Sequence, residues 1–300
     1  MRESFLRQLY KLFPFDLKGD CAVPPPQQEI KLSCVINFYG RLDLLAGILH
    51  SLAQQDFPRE AFEVVLVEDR GGTGAGRELT YRFSDRLQIR YFPLDKNYGH
   101  MGYSRNYALS LSRGEVVLFL DDDTVILQRN FFDVLVEKFA LNSEIDAVVP
   151  HGMASYVLLD GKYAYHEPYF MTSRCTAYRR SVLADLGGFI NHFIGQEDVE
   201  FVARFNMAMK KSCNVQTLEF FHPPLIVGNL RKPEAVGFSF YKLKNRYPAI
   251  IWFLLIINCA RHAPLYLIPA RRYREMGRFG IGFVRGILKS MLKKAGFQYS

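Results

Sequence analysis

The chain has 300 residues, 49% of them hydrophobic and 23% charged, which supplies a sizeable core for one large domain plus an appendage and excludes compositional disorder. Five cysteines, Cys21, Cys34, Cys175, Cys213 and Cys259, are scattered with no CxxC or Cys/His spacing, so neither a zinc site nor a disulfide framework is expected and a reducing, cytosolic setting fits. The formal charge of +8 is uneven: residues 242–300 hold twelve Lys/Arg against one acid, Glu275, a local +11 that leaves the remainder slightly acidic at −3.

The first twenty residues mix charges into their apolar positions, so a secretory leader is not expected. Residues 1–30 end in Pro24-Pro25-Pro26, a stiff break that no helix crosses, and read as a lead-in to an ordered domain starting near Lys31. From there β-rich apolar runs alternate with amphipathic stretches. Strands are predicted at 32–38, 62–68, 87–92, 115–120 and 147–150, with helices at 42–54, 77–84, 103–111 and 130–141. This βαβ alternation predicts an α/β fold with a Rossmann-like half complete by position 150. Two shorter strands at 155–159 and 162–165, joined by Asp160-Gly161, predict a hairpin and a mixed second half.

Val116 to Leu120 is apolar throughout, as a central strand buried on both faces would be, and Asp121-Asp122-Asp123 follow without a break. Ligands of open α/β sheets bind outside the strands' carboxyl ends, and three adjacent carboxylates repel unless a cation or donors neutralise them. A Mg²⁺ or Mn²⁺ held there would bridge a nucleotide diphosphate; the plain alternative is a solvated acidic turn. A second strand ends in Glu68-Asp69 and runs into a glycine-rich turn through Gly76, whose spacing matches neither the dinucleotide nor the P-loop fingerprint. A third acidic group, Glu197-Asp198 with Glu200, opens an apolar-periodic stretch and reads as a helix N-terminus, where acids also have an ordinary capping role.

In order and spacing these segments resemble the family 2 glycosyltransferases of the GT-A fold over roughly residues 31–225. Ser33 to Gly40 looks like the first strand and aromatic turn, and Val67-Glu68-Asp69 like the second strand and its acidic pair. Asn97-Tyr98-Gly99, Ser104-Arg105-Asn106-Tyr107-Ala108 and Arg113-Gly114-Glu115 are similar to the segment leading into the metal motif, and Phe119 to Asp123 to that motif itself. The family's Pro and Asn after the first strand are absent, and Arg70-Gly71 replaces its Gly-Ser. The resemblance implies that Tyr39, Asp69, Arg105, Asp121 and Asp122 bind a nucleotide sugar, a UDP-sugar before other donors, and that Asp123 and Asp121 bind Mn²⁺ or Mg²⁺ with His222 as a further ligand. Downstream, Cys175 to Arg180, Leu186 to Phe189 and Glu197-Asp198 followed by Arg204 look like the acceptor-side half. It implies an acceptor-side role for Glu197 and Arg179, and for Asp198 the part of catalytic base in an inverting displacement.

The catalytic domain is expected over 31–230 and a basic, partly apolar helical region over 231–300. Ala249 to Ala260 is strongly apolar but shorter than the roughly 20 residues of a bilayer span, and Pro264 and Pro269 interrupt the residues after it. Flanked by lysines and arginines, it suits a segment lying in an anionic membrane interface, and the expected setting is the cytoplasmic face of a membrane, with a saccharide or lipid-linked acceptor. A helix packed on the catalytic domain is the alternative, and no nucleic-acid partner is expected. Two rival functions remain: a nucleotidyltransferase, which should carry a glycine-rich phosphate loop that Tyr39-Gly40-Arg41 does not supply, and a non-catalytic binding protein of the same fold, which would not need Asp198.

Overall fold

The computed structural model describes residues 3–69, 74–96, 99–153, 158–159, 162–163, 169, 171–223 and 230–292. Helix α1 (Glu3–Leu12) precedes β1 (Leu32–Phe38), α2 (Leu42–Ala53), β2 (Phe62–Glu68), α3 (Gly74–Tyr81), β3 (Ile89–Pro93), α4 (Met101–Leu111) and β4 (Val116–Asp121). The short β5 (Val125–Ile126) leads to α5 (Phe131–Leu141), β6 (Ala147–Met153), the paired β7 (Leu158–Leu159) and β8 (Lys162–Tyr163), β9 (Cys175–Arg179) and α6 (Arg180–Asp185). Then come α7 (Glu197–Met207), β10 (Ser212–Phe221), α8 (Arg231–Lys242), α9 (Ala249–Ala260) and α10 (Arg271–Met291).

Eight strands form one mixed sheet in the order β3-β2-β1-β4-β9-β6-β10-β5. Every residue of β1 and β2 is buried, which is why their sequences are mainly apolar rather than alternating, with Ser33, Asn37, Glu63 and Glu68 buried among them. β1 pairs in parallel with β2 on one side and β4 on the other, so the chain winds outward from β1 to β3 and then returns across it. That reversal creates a switch point at the carboxyl ends of β1 and β4, where a crevice forms. β9 runs antiparallel to β4 and to β6, making the second half mixed, as expected.

Side chains alternate between the faces. Cys34, Ile36, Leu118 and Leu120 point to one face, where they pack with Leu45, Leu49, Phe131 and Leu135 of α2 and α5. Val35, Val65 and Phe119 point to the other, against Leu109 of α4 and Phe201 and Phe205 of α7.

Some boundaries move for identifiable reasons. α3 starts at Gly74, so the last glycines of the supposed turn are already helical, while residues 70–73 and the Asp160-Gly161 turn lie outside the described residues. β6 runs on to Met153 because β10 resumes pairing after an irregularity, His151 to Met153 against Glu219 to Phe221. The lead-in packs onto the body of the protein: Leu6 and Leu9 of α1 are buried in a third cluster with Phe193, Phe240 and Phe283. Gly19 donates to the Leu186 carbonyl at 2.7 Å and Cys21 to that of Gly187 at 2.8 Å. A Cβ at Gly19 would lie 2.5 Å from the Gly188 oxygen, so the approach requires glycine.

The C-terminal helices share that third cluster. α8 and α10 are tied by Glu234, which pairs with Arg285 at 3.0 Å and Lys289 at 2.5 Å. α9 buries Ile251 and Leu255, but leaves Ile250, Phe253 and Ile257 exposed. Below it, Glu200 and Arg204 of α7 form a fully buried pair that also takes the Tyr247 hydroxyl.

Candidate active site

Asp121 is the last residue of β4, and Asp122 and Asp123 turn outward from it into β5. Thr124 closes the turn, its amide donating to the Asp121 carbonyl at 3.2 Å and its hydroxyl to that of Arg174 at 2.7 Å. β5 is two residues long, yet its antiparallel pairing with Phe220 and Phe221 brings the next residue, His222, back beside the acidic turn. His222 Nε2 lies 3.1 Å from Asp123 Oδ1 and 3.5 Å from Asp121 Oδ2. One ligand atom each of Asp121, Asp123 and His222 fall within 4.8 Å of one another.

The imidazole is aimed by its other nitrogen. Nδ1 donates to the Pro223 carbonyl at 2.6 Å, which leaves Nε2 facing the carboxylates. Burial would lower the His222 pKa, but the facing Asp121 and Asp123 carboxylates outweigh it and push it up to about 9. Asp123 Oδ1 is buried and meets no hydrogen bond of good geometry, with His222 Nε2 at ion-pair distance, 3.1 Å. Two carboxylates and an imidazole with a buried, unmet oxygen among them fit a divalent cation.

Arg105 of α4 stitches the site together. Only 3% exposed, it donates from Nε to Glu197 Oε1 at 2.6 Å and from Nη2 to Asp121 Oδ1 at 2.7 Å, joining α4, α7 and β4. Burial would raise the Asp121 pKa, yet His222 and Arg105 together hold its carboxyl well below the usual range. Glu197 responds the other way: burial pushes it up to about 7, with Arg105 opposing and Asp198 adding to the rise. Asp122 is also raised by burial to about 7, against the pull of Arg41.

Asp198 stands in the first turn of α7, after Gln196 in the left-handed conformation at φ 60°. Its Oδ1 accepts from the Val199 amide at 2.8 Å and its Oδ2 from the Ser173 amide at 3.1 Å, which fix the carboxylate's orientation. Tyr39, 51% exposed, and Asp69 follow adjacent parallel strands at the same edge. Asp69 donates its amide to the Phe38 carbonyl at 3.0 Å and accepts from the Gly99 amide at 3.2 Å.

Arg179 is separated from this group. β9 is antiparallel to β4, so Arg179 pairs with Val116 at the far end of the sheet from Asp121. Its guanidinium donates to the carbonyls of Ile145 at 2.7 Å and Asn142 at 2.8 Å and covers the Phe139 ring, a bracing role between β9 and α5. Glu197 faces Arg105 in the interior at 2% exposure, rather than an open acceptor side. Sequence reasoning misses two residues at the site. Ser173, whose amide holds Asp198, carries no sequence signal because it acts through its backbone. Arg41, paired with Asp122 at 3.0 Å and Asp123 at 2.5 Å, does carry one, a base directly after the aromatic turn of β1.

Comparison with known proteins agrees with this geometry. A sequence profile of the family described as Glycosyl transferase family 2 matches residues 33–195. The poly(ribitol-phosphate) beta-N-acetylglucosaminyltransferase TarS of Staphylococcus aureus is 35% identical over 104 residues, 35% of this chain and 18% of that protein. The O-antigen chain rhamnosyltransferase RfbN of Salmonella typhimurium is 26% identical over 202 residues, 60% of this chain and 62% of that one. The chain thus spans under a fifth of the first of these relatives. Among solved structures, S. aureus TarS residues 1–349 superposes with a TM-score of 0.60 at 17% identity, covering 87% of this chain and 82% of that one. A Pyrobaculum calidifontis mannosyltransferase, solved with GDP-Man and Mn²⁺, gives 0.58 at 15% identity, covering 98% and 96%. With the profile spanning more than half of its length and a mixed sheet of the GT-A kind beneath the match, the chain belongs to glycosyltransferase family 2.

Proposed function

We propose that this glycosyltransferase moves a sugar from a nucleotide-diphosphate donor to an acceptor hydroxyl with inversion, and that a divalent cation at Asp121, Asp123 and His222 serves the reaction. One observation carries the reading: the convergence of those three side chains with the Arg105–Glu197 pair and Asp198 at the switch point of the sheet. When bound, the cation supplies charge neutralisation for the departing diphosphate. The chain's own residues do the rest. Tyr39 and Asp69 receive the nucleoside, Asp122 borders the ribose, and His222 and Arg105 keep Asp121 ionised. Asp198 takes the acceptor proton as the hydroxyl oxygen bonds to the anomeric carbon and the carbon–oxygen bond to the diphosphate breaks. Glu197, beside it and bound to Arg105, is a positioning residue for the α7 N-terminus.

The imidazole favours Mn²⁺ over Mg²⁺, which prefers an all-oxygen, near-octahedral shell. A UDP-sugar is the first donor to try, since a TarS structure was solved with UDP-GlcNAc. The acceptor in this reading is a saccharide, free or lipid-linked, consistent with relatives named for poly(ribitol-phosphate) and O-antigen.

The same reading includes a membrane surface at the cytoplasmic side. A helix that is apolar all round is normally buried in protein or in lipid, yet α9 presents Ile250, Phe253 and Ile257 outward. With the turn after it, Ala249–Leu267 forms 19 residues of mean hydropathy 1.5, only 11% of them buried. The surrounding +11 matches an anionic interface in sign.

The test is a panel of nucleotide sugars with candidate saccharide acceptors and Mn²⁺, read as nucleotide diphosphate released. Turnover with at least one donor should vanish with chelator, and Asp198→Asn should abolish it while nucleotide binding persists. An Asp198→Asn protein as active as the parent sinks the assignment of the base, and chelator-resistant turnover sinks that of the metal.

A further inference from the structure

Arg41 has a set of properties that its position after β1 does not require. It and Gly40 are successive left-handed residues, φ 49° and 61°, a conformation in which a side chain bearing Cβ is disfavoured. It is the N-cap of α2 but makes no side-chain capping bond there. Instead the guanidinium crosses to the acidic turn, Nη1 donating to Asp122 Oδ1 at 3.0 Å and Nη2 to Asp123 Oδ2 at 2.5 Å. The two carboxylates are only 12% and 11% exposed, whereas the arginine side chain is 47% exposed.

Asp123 therefore serves two positive groups at once. Its Oδ2 takes Arg41, while its Oδ1, without a hydrogen bond, faces Asp121 and His222. A divalent cation entering beside Oδ1 would meet the guanidinium across a single carboxylate, and the two charges repel. Of the two, the arginine is the one free to leave: it lies at the surface on a flexible stem and has water to go to. A guanidinium fork released at that edge matches a diphosphate in both charge and geometry.

We propose that Arg41 is a place-holding cation of the donor-free site, which yields Asp123 to the metal and transfers its fork to the donor diphosphate. Arg41 is thus a positioning residue for both ligands, with opposite effects on each: it weakens metal binding before the nucleotide arrives and strengthens nucleotide binding afterwards. This inference rests on the proposed metal site at Asp121, Asp123 and His222.

Arg41→Gly removes the guanidinium while keeping the backbone at ease in the left-handed region. Mn²⁺ alone is titrated into parent, Arg41→Gly, Asp123→Asn and, as a control for loss of an exposed arginine, Arg129→Ala, with the free aqua ion counted by electron paramagnetic resonance. The full chain is used throughout, and circular dichroism verifies the fold; Arg41→Gln stands in should the glycine variant not fold. Arg41→Gly is expected to bind Mn²⁺ on the order of tenfold more tightly than the parent, with Arg129→Ala unchanged. At saturating Mn²⁺, UDP and GDP are then titrated by calorimetry. The nucleotide that the parent holds should bind Arg41→Gly on the order of tenfold more weakly. Unchanged or weaker Mn²⁺ binding by Arg41→Gly overturns the place-holding role, and unchanged nucleotide affinity overturns the transfer to the diphosphate. A parent that binds no Mn²⁺, or binds it equally with Asp123→Asn, overturns the metal reading itself and the inference with it.

Discussion

Arg204 offers a direct test of how the helix bearing Glu197 and Asp198 is held. It is 1% exposed, with Nε 2.7 Å and Nη2 2.9 Å from the two oxygens of Glu200, itself 0% exposed. Its remaining donors reach the carbonyls of Leu17 at 3.0 Å, Leu186 at 2.8 Å and Gly188 at 2.9 Å, so one side chain joins α7 to the lead-in and to the turn after α6. Arg204→Met keeps much of the volume but strands Glu200 as a buried charge, with only the Tyr247 hydroxyl left to it. Breaking such a pair from one side costs about 3–5 kcal/mol, and the three abandoned carbonyls add about 1 kcal/mol or more between them. A loss of about 4–6 kcal/mol is a large part of a typical domain's stability. Neutralising the partner should return part of it, so the loss in Glu200→Gln with Arg204→Met is expected to be about 2 kcal/mol smaller than the sum of the single losses. Urea unfolding followed by the fluorescence of the single tryptophan, Trp252, and by circular dichroism measures this, provided the two transitions coincide. A loss below about 1 kcal/mol for Arg204→Met, or simple additivity in the double variant, would show that the network does not hold α7.

His192 bonds the Ser239 carbonyl through Nε2 at 3.0 Å; burial, with Lys242 and Arg246 nearby, lowers its pKa to about 4 against the opposing pull of that hydrogen bond and of Asp20. The unfolded chain takes up that proton first as pH falls through about 6.5, so the stabilising effect is complete above that value and declines toward pH 4, by up to about 1.4 kcal/mol per unit. Urea midpoints should therefore fall further between about pH 7 and pH 5 in the parent than in His192→Gln, and equal falls would refute the assignment. Gly102→Ala adds a Cβ that would sit 2.0 Å from the Ile190 carbonyl oxygen; overpacking of about 1–3 kcal/mol should outweigh the helix-propensity gain of about 1 kcal/mol, and a raised melting temperature would contradict it. In vesicle flotation the parent should bind anionic but not neutral liposomes, and Phe253→Ser with Ile257→Ser should weaken that binding; a parent that stays with the soluble fraction on anionic vesicles removes the membrane proposal.

The central strands are legible in the sequence because burial on both faces makes them mainly apolar rather than alternating, and β1 and β2 fall on the residues predicted for them. The acidic turn and the α7 N-terminus are legible for the same reason, each being anchored to a strong periodic element. A linear reading lacks direction and pairing. The resemblance of residues 175–180 puts Arg179 on the acceptor side, but the strand they form is antiparallel to β4 and ends at the opposite edge. The lead-in is readable as ending in a break in regular structure, but Gly19 to Cys21 are not readable as partners for Leu186 to Phe189, since backbone hydrogen bonds leave no side-chain pattern. Arg41 escapes notice because its one signal, a base directly after the aromatic turn, is ordinary until the fold turns it onto Asp122 and Asp123.

The two-residue pairing of β5 with β10 has a thermodynamic consequence out of proportion to its length. Asp123 and His222 lie far apart in the chain, and bringing them together carries a loop-closure entropy that folding itself has already met. A cation at the proposed site would find Asp121, Asp123 and His222 already converged. Its binding should resemble the filling of a rigid socket, with little change in heat capacity or hydrogen-exchange protection, rather than the metal-driven folding of a small zinc domain.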